Sequence, residues 1–257
     1  IRNDNYNEYD SVINPRIGIM YKFKDFWKLR TAWGKGYRAP SFMERYIDWN
    51  HIQFNYSVLG NIKLKPERSN GITIGLDYTN PAKYQMSLML YRTRFKNLIN
   101  DYVVNPGTLS YQNIKSSVFS GIELLCQWKI SDSWDSRWGA NLINNKDSNG
   151  KPIPNTMPLS INGKISYLSS LNSIKTTITA KWVAPHRPQE FDPISGLFIT
   201  SENKISGHSL INIIASKKIF NNYNIRIGLN NSTNYTNMRF GPFVGRNIFL
   251  EFSTKII

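Results

Sequence analysis

The sequence predicts an all-β protein, an antiparallel transmembrane β-barrel with about eleven strands in this chain. Three observations lead to this class: apolar and polar side chains alternate along the whole chain, many alternating segments reach ten residues, and tyrosine and tryptophan lie near their ends. Strands of a soluble sandwich usually have about five or six residues. A lipid-facing strand needs about nine to eleven, with aromatic residues at both interfaces. Length and aromatic ends therefore favour the membrane barrel.

The alternation with a period of two defines each strand in turn. In the first segment Ile17, Ile19, Tyr21 and Phe23 share one face, and the other face carries Arg16, Gly18, Met20, Lys22 and Lys24. The same period recurs in GITIGLDY, GIELLCQWKI, SIKTTITAKW and YNIRIGLNN. The predicted strands span residues 14–24, 27–37, 68–79, 83–103, 109–130, 134–145, 157–169, 173–184, 205–219, 223–232 and 245–256.

The connections between these strands alternate between short and long, which orients the barrel. Bacterial barrels have short periplasmic turns and longer extracellular loops. The short connections are 25–26, 80–82, 131–133, 170–172 and 220–222, rich in Asp, Asn, Pro or Ser. The others are mostly long and are therefore predicted to be extracellular: 38–67, 104–108, 146–156, 185–204 and 233–244.

The strand count indicates a partial barrel. Single-chain bacterial barrels have an even number of strands, and a piece that begins outside and ends in the periplasm fits the second half of a barrel of about 22 strands. Such a half leaves two unpaired edges. The sequence shows no signal peptide and no apolar run long enough for a transmembrane helix. We expect residues 1–257 to be one domain, an interior or C-terminal piece of a longer precursor.

Charge and side-chain chemistry exclude several function classes. The net charge is +15, but the basic residues are scattered, so we expect anionic lipid headgroups or lipopolysaccharide as partners and no nucleic acid. No nucleophile–base–acid set or zinc-type spacing is present, which predicts that the protein is not an enzyme. The carboxylates of Glu44 and Asp48 are expected to be solvated. Cys126 is the only cysteine and is predicted to be a small apolar residue on the lipid face.

Five segments in order resemble TonB-dependent outer-membrane receptors: NPRIGIMYKF, WGKGYRAPSFMERY, LGNIKLKPERSNGITIGLDY, YQNIKSSVFSGIEL and GRNIFLEFSTKII. The resemblance implies the C-terminal half of a 22-stranded barrel, with the plug domain and the N-terminal barrel strands outside this sequence. It also implies nutrient import energised by the TonB complex through the plug. The last segment resembles the family's terminal strand, with an outward row of Ile248, Leu250, Phe252, Thr254 and Ile256, although it ends on isoleucine and not on an aromatic residue.

A loop of this resemblance suggests a ligand site. Haem receptors of the family carry two short boxes with an iron-ligating histidine between them; here the first box is Tyr37–Pro40, and the second, Asn61–Leu64, has isoleucine where the family has proline. His51 lies between them, and a neutral imidazole is a suitable axial ligand for haem iron. The candidate ligand-binding residues are His51, Tyr37, Arg38, Trp49, Phe54, Tyr56 and His186.

The resemblance leaves the cargo open. Similar boxes occur in siderophore and cobalamin receptors of the family, where they serve strand and loop structure. We therefore expect uptake of an iron-bearing ligand, haem or a ferric siderophore, with a cobalamin or other nutrient receptor and a passive, porin-like barrel as alternatives. No intrinsic cofactor is expected, and a surface lipoprotein is a further candidate partner. His51, His186 and His208 all map to the extracellular side.

Overall fold

Eleven long antiparallel strands form the body of the protein, each hydrogen bonded to the next along the sheet. The computed structural model describes residues 2–6, 9–54, 56–80, 82–153, 156–192, 197–219 and 222–254. The strands of this sheet are β3 (Arg16–Lys24), β4 (Trp27–Arg38), β7 (Glu67–Asn80), β8 (Tyr84–Asn105), β9 (Thr108–Lys129), β10 (Trp134–Lys146), β11 (Leu159–Leu168), β12 (Ile174–Val183), β15 (His208–Ile219), β16 (Tyr223–Asn230) and β17 (Asn247–Thr254).

These strands confirm the predicted antiparallel β-barrel fold and all eleven of its predicted strands. The order in the sheet is β3-β4-β7-β8-β9-β10-β11-β12-β15-β16-β17, an up-and-down meander. No strand end differs from its predicted position by more than three residues. In the described part of the chain, β3 and β17 are not hydrogen bonded to each other, so the sheet is not closed. The predicted outward residue Ile256 lies outside the described residues.

One face of the sheet carries an exposed apolar band. The register places Leu29 opposite Leu76, Leu76 opposite Leu88, and Leu88 opposite Leu124. Cross-strand apolar pairs of this kind continue to β17, where Ile248, 74% exposed, lies opposite Leu229. Because side chains alternate across a strand, we define this as the outward face, the one that contacts lipid in a membrane barrel.

The outward face ends in an aromatic girdle at the short turns. The ring centroids of Trp27 and Tyr78 lie 4.9 Å apart, and those of Tyr78 and Tyr84 lie 5.1 Å apart. Further along the sheet, Trp134 and Tyr167 lie 4.6 Å apart. Amphipathic rings in such a row prefer the membrane–water interface, so the girdle marks one edge of the apolar band.

The opposite, inward face is polar and charged. Arg30 Nε donates to Asp77 Oδ2 at 2.5 Å, and Arg226 Nη1 donates to Glu251 Oε2 at 2.9 Å, each pair joining neighbouring strands. This alternation of outward apolar and inward polar side chains is typical of a membrane barrel with a polar interior.

The long connections and the residues before β3 contain structure that the alternation pattern did not predict. The additional elements are β1 (Arg2–Tyr6), β2 (Tyr9–Asn14), α1 (Phe42–Tyr46), β5 (Asp48–His51), a 3-10 turn (Ile52–Phe54), β6 (Tyr56–Leu59), β13 (Gln189–Asp192) and β14 (Leu197–Thr200). The buried apolar residues, among them Val58, Leu64, Ile99 and Val183, lie in or beside these connections, so the small core sits at the loop end of the sheet. None of the described helices has the length and apolar character needed to cross a membrane.

Candidate functional site

An arginine clamp fixes the start of the 38–67 connection. Arg38, the last residue of β4, donates from Nε and Nη2 to the Glu67 carboxylate at 2.8 and 2.7 Å, and from Nη1 to Glu44 at 2.9 Å. Glu67 also accepts a hydrogen bond from the backbone N–H of Ile99 at 2.8 Å. Paired charges of this kind hold their side chains in fixed positions. The expectation that Glu44 is solvated was wrong, because its carboxylate is paired with Arg38 and only 16% exposed.

Helix α1 is capped by the same carboxylate. Ser41 Oγ accepts a hydrogen bond from the backbone N–H of Glu44, and the Glu44 side chain accepts one from the backbone N–H of Ser41, which is a capping box. Burial alone would raise the pKa of Glu44, but the hydrogen bonds from Ser41 and Arg38 outweigh it and hold the pKa below its usual value. Ser41 and Glu44, which follow the first box, therefore form the capping signal that starts this short helix.

The second box fastens the end of the same connection. Asn61 Oδ1 accepts from the backbone N–H of Lys63 at 2.9 Å, and its amide donates to the carbonyl of Tyr111 at 2.8 Å. Leu64 is 3% exposed. In this structure both boxes make contacts within the fold, as they would if they served loop structure.

The hairpin of β5 and β6 presents His51 beside two aromatic rings. The register places His51 opposite Tyr56. The indole of Trp49 lies edge-on to the imidazole at 5.2 Å and edge-on to the Tyr56 ring at 5.9 Å between ring centroids. The hairpin is held against β9, where Ser57 pairs with Thr108. The structure thus brings together three of the predicted candidates, and the side chain of Phe54 lies outside the described residues.

The other predicted candidates do not join this cluster. Tyr37 belongs to the outward row of β4, and its ring centroid lies 6.0 Å from the guanidinium of Arg68. Arg38 points to the opposite face and forms the clamp. His186 lies in a different connection, between β12 and β15, where its backbone pairs with Ile205.

A groove of about 630 Å³ surrounds His186 at the end of the sheet that carries the long connections. It is formed by the connection after β10 and the connection after β12, and its walls are basic and apolar. The lining residues include Lys151, Arg187, Lys204, Ile143, Ile153 and Pro158, and no carboxylate is among those described. The buried Oδ1 of Asn145, also in the lining, has no hydrogen-bond partner in the described part of the chain. Such a groove suits an anionic ligand with an apolar body.

Two side chains define the geometry of this groove. His186 Nδ1 lies 3.1 Å from the carbonyl oxygen of Ala184. This contact uses one of the two ring nitrogens and does not involve Nε2. Arg187 Nη1 donates to the carbonyls of Ser201 and Glu202 at 3.1 and 2.9 Å, so this guanidinium has a structural role. Lys151 and Lys204 make no side-chain ion pair among the described residues.

The sequence analysis names His186 as a candidate but does not name the other residues that line the groove. The available signal was two connections that each combine proline with lysine or arginine, but their proximity depends on the pairing of β11 with β12. His208 lies elsewhere, with its ring stacked on Tyr235 at 4.0 Å between centroids. Within the described ranges no group of three His, Cys, Asp or Glu side chains could hold a metal ion.

A family model and several curated proteins match this chain. A family model described as "TonB dependent receptor-like, beta-barrel" matches residues 1–232. Heme/hemopexin utilization protein C of Haemophilus influenzae is 25% identical over 203 residues, which cover 69% of this chain and 28% of that protein. Vitamin B12 transporter BtuB of Vibrio cholerae is 26% identical over 154 residues, which cover 60% of this chain and 23% of that protein.

Solved structures share the fold over nearly the whole chain. A mutant of the ferric enterobactin receptor PfeA from Pseudomonas aeruginosa gives a TM-score of 0.75 at 14% identity, covering 95% of this chain and 40% of that one. The siderophore receptor PirA from Acinetobacter baumannii gives 0.75 at 15% identity, covering 97% and 42%. The chain therefore spans less than half the length of these proteins.

Proposed function

Because the chain belongs to the TonB-dependent receptor-like β-barrel family, we propose that it is part of an outer-membrane transporter that takes up an iron-bearing ligand. The ligand is haem or a ferric siderophore, bound through the extracellular loops, and the energy comes from the TonB complex. The relatives named for haem and hemopexin utilization support haem, and the solved siderophore receptors share the fold. Haem or siderophore is cargo in this proposal and not a resident cofactor.

The observation that carries the proposal is the groove around His186, whose described lining residues include no carboxylate. Haem carries two propionates on a large apolar ring, and ferric siderophores of the catecholate type are anionic and aromatic. Lys151 and Lys204 supply positive charge, and Ile143, Ile153 and Pro158 supply apolar contact area. Both ligand classes therefore match the same lining.

The haem form of the proposal adds a specific role for His51. Its imidazole would coordinate ferric iron, with Trp49 and Tyr56 packing on the porphyrin. The edge-on contacts of Trp49 with His51 and with Tyr56 support this role. They place two aromatic side chains beside the imidazole, at the same end of the sheet as the groove. A siderophore would not need this nitrogen.

The test is a titration of the intact receptor in detergent with haemin, a ferric catecholate siderophore and cyanocobalamin. The variant Lys151→Glu/Lys204→Glu reverses two groove charges, and Lys63→Glu is the control in a different loop. An exposed charge contact contributes about 0.5 to 1 kcal/mol, so reversal of two charges should cost about 2 kcal/mol, or about 30-fold in affinity. The control should bind as the wild type does.

The outcomes separate the candidates. If haemin binds with a shift of its Soret band, and His51→Ala removes this shift while His208→Ala does not, haem is the cargo and His51 is the iron ligand. Siderophore binding that depends on the groove lysines, with no effect of His51→Ala, identifies a siderophore. Binding of cyanocobalamin alone would support the cobalamin alternative, and uptake that persists without TonB would support the passive barrel.

A further inference from the structure

The outward face of β8 changes its chemistry abruptly toward the extracellular end. Starting from the aromatic girdle, the outward side chains are first aromatic and apolar and then entirely basic. In order they are Tyr84, Met86, Leu88, Leu90, Arg92, Arg94 and Lys96. The three basic side chains are exposed, while the inward residues between them are partly covered.

Strand register extends this basic row sideways over five strands. On β7, Arg68 lies opposite Lys96, and Asn70 lies opposite Arg94. On β4, Lys35 lies opposite Asn70. On the other side, Val118 of β9 lies opposite Arg94 and also opposite Lys146 of β10. The outer basic patch is defined by these exposed residues: Lys35, Arg68, Arg92, Arg94, Lys96 and Lys146.

Among the described residues, no acidic side chain neutralises the outer basic patch. The carboxylates at membrane level in the eleven strands all lie on the inward face: Glu67, Asp77, Glu123, Asp135 and Glu251. In the described part of the chain, none of the six basic side chains forms an ion pair. Arg68 instead lies 6.0 Å from the ring centroid of Tyr37. The patch is therefore a concentrated positive surface on the face that contacts lipid.

The height of the patch matches the outer membrane–water interface. Arg94 is ten residues beyond Tyr84 of the girdle. At about 3.3 Å per residue, this distance is about 33 Å along the strand, and a strand tilt of roughly 40° reduces it to about 25 Å along the membrane normal. The apolar band of a membrane barrel is about 25 Å tall. With the short turns in the periplasm, Arg94 reaches the headgroups of the outer leaflet.

We propose that the outer basic patch binds the phosphate groups of a phosphorylated outer-leaflet lipid of the lipopolysaccharide type. The lipid's acyl chains would lie against the exposed apolar row directly below, which includes Ile72, Ile74, Leu90, Ile122 and Leu142. Arginine suits this site because its guanidinium binds phosphate oxygens in pairs. The proposal depends on the membrane orientation but not on the identity of the transported ligand.

The experiment measures retention of lipid by the intact receptor. Receptor in nanodiscs of phosphatidylcholine is titrated with bisphosphorylated lipid A, with dephosphorylated lipid A and with free inorganic pyrophosphate. The test variant is Arg92→Gln/Arg94→Gln/Lys96→Gln. The matched control, Lys175→Gln/Lys217→Gln/Lys218→Gln, removes the same charge from exposed lysines at the turn end. Heat-modifiable migration checks folding, and Arg94→Gln alone serves if the triple variant does not fold.

The expected result is a loss of about 100-fold in affinity for bisphosphorylated lipid A in the test variant, from the usual contribution of basic residues at an anionic membrane surface. The control should lose less than about threefold, and the wild type should bind dephosphorylated lipid A weakly. Equal losses in test and control would overturn the proposal, because net charge alone would then explain binding. Pyrophosphate binding as tight as lipid binding would also overturn it. Ligand uptake should be unchanged in the test variant, which keeps this result separate from the proposed function.

Discussion

Removal of the Arg38 clamp should release the 38–67 connection without disturbing the sheet. Arg38 holds Glu44 and Glu67 through hydrogen bonds of 2.7 to 2.9 Å. The Arg38 side chain is 45% exposed, whereas Glu67 is 11% exposed. Arg38→Ala would therefore leave a largely covered carboxylate whose remaining hydrogen bond comes from the backbone N–H of Ile99.

The magnitude follows from these exposures. Two exposed ion pairs contribute together about 1 kcal/mol, and a buried carboxylate that loses its partner costs about 3 to 5 kcal/mol. Because Arg38 is nearly half exposed, solvent screens the pairs and water can reach the vacated space, so we expect a local loss of about 2 kcal/mol. This corresponds to about a 30-fold increase in the open fraction of the connection.

The assay is native-state hydrogen exchange on the intact receptor. The informative amides are those of Ile47, Gly60 and Asn61, which donate to carbonyls within the connection at 3.1, 2.6 and 2.9 Å. Their exchange should accelerate about 30-fold in Arg38→Ala, because exchange requires local opening. Amides in the centre of β9 should not change.

The control is Arg246→Ala, which removes an exposed arginine that makes no side-chain hydrogen bond in the described part of the chain. It should change exchange by less than about twofold. If Arg38→Ala accelerates exchange by less than threefold, the clamp does not hold the connection and the reasoning is refuted. Acceleration throughout the sheet would refute it equally, since the effect would not be local.

Three further outcomes are expected. Gly163→Val should destabilise the sheet by about 1 to 3 kcal/mol and lower the temperature of heat modification, because a Cβ there would lie 2.5 Å from the indole of Trp138. Acidification below about pH 4 should make the 38–67 connection more sensitive to pepsin: the folded pKa of Glu44 is lowered, so its stabilising contribution is present above the unfolded pKa of about 4.3 and is lost as the pH falls through the folded value. On intact cells, an impermeant maleimide should label Asn149→Cys but not Leu171→Cys, because these residues lie at opposite ends of the strands.

Each outcome has a control and a contradiction. Gly18→Ala should be tolerated, because its Cβ would meet only the Thr31 carbonyl, at 3.9 Å. Glu44→Gln should abolish the pH dependence of cleavage, and an unchanged pH profile in that variant would argue against Glu44. The cysteine variants are made in a Cys126→Ser background, and labelling of Leu171→Cys on intact cells would invert the orientation.

The sequence by itself determined the strands, their faces and their ends. Alternation such as that of Ile17, Ile19, Tyr21 and Phe23 predicts a membrane-spanning β-strand when it recurs in segments of about ten residues. The aromatic residues near the segment ends predicted the girdle. The lengths of the connections predicted that short turns and long loops alternate along the chain. These features are local, because a strand that crosses lipid must satisfy its pattern within about ten residues.

Only the tertiary structure decided how the loop residues are used. The first box makes Arg38 a ligand candidate, but the pairing of β4 with β7 places Glu67 opposite it as an ion-pair partner. The groove around His186 depends in the same way on two connections that are distant in the sequence. Hydrogen-bonded register sets these contacts, and no short sequence window contains both partners.

The outer basic patch shows the same division. The sequence shows that Arg92, Arg94 and Lys96 alternate along one strand. That Arg68 lies beside Lys96, and that Lys146 lies two strands from Arg94, follows from register through β9. Positive charge that is scattered along the chain becomes a surface because antiparallel pairing places residues of different strands side by side at one level of the sheet.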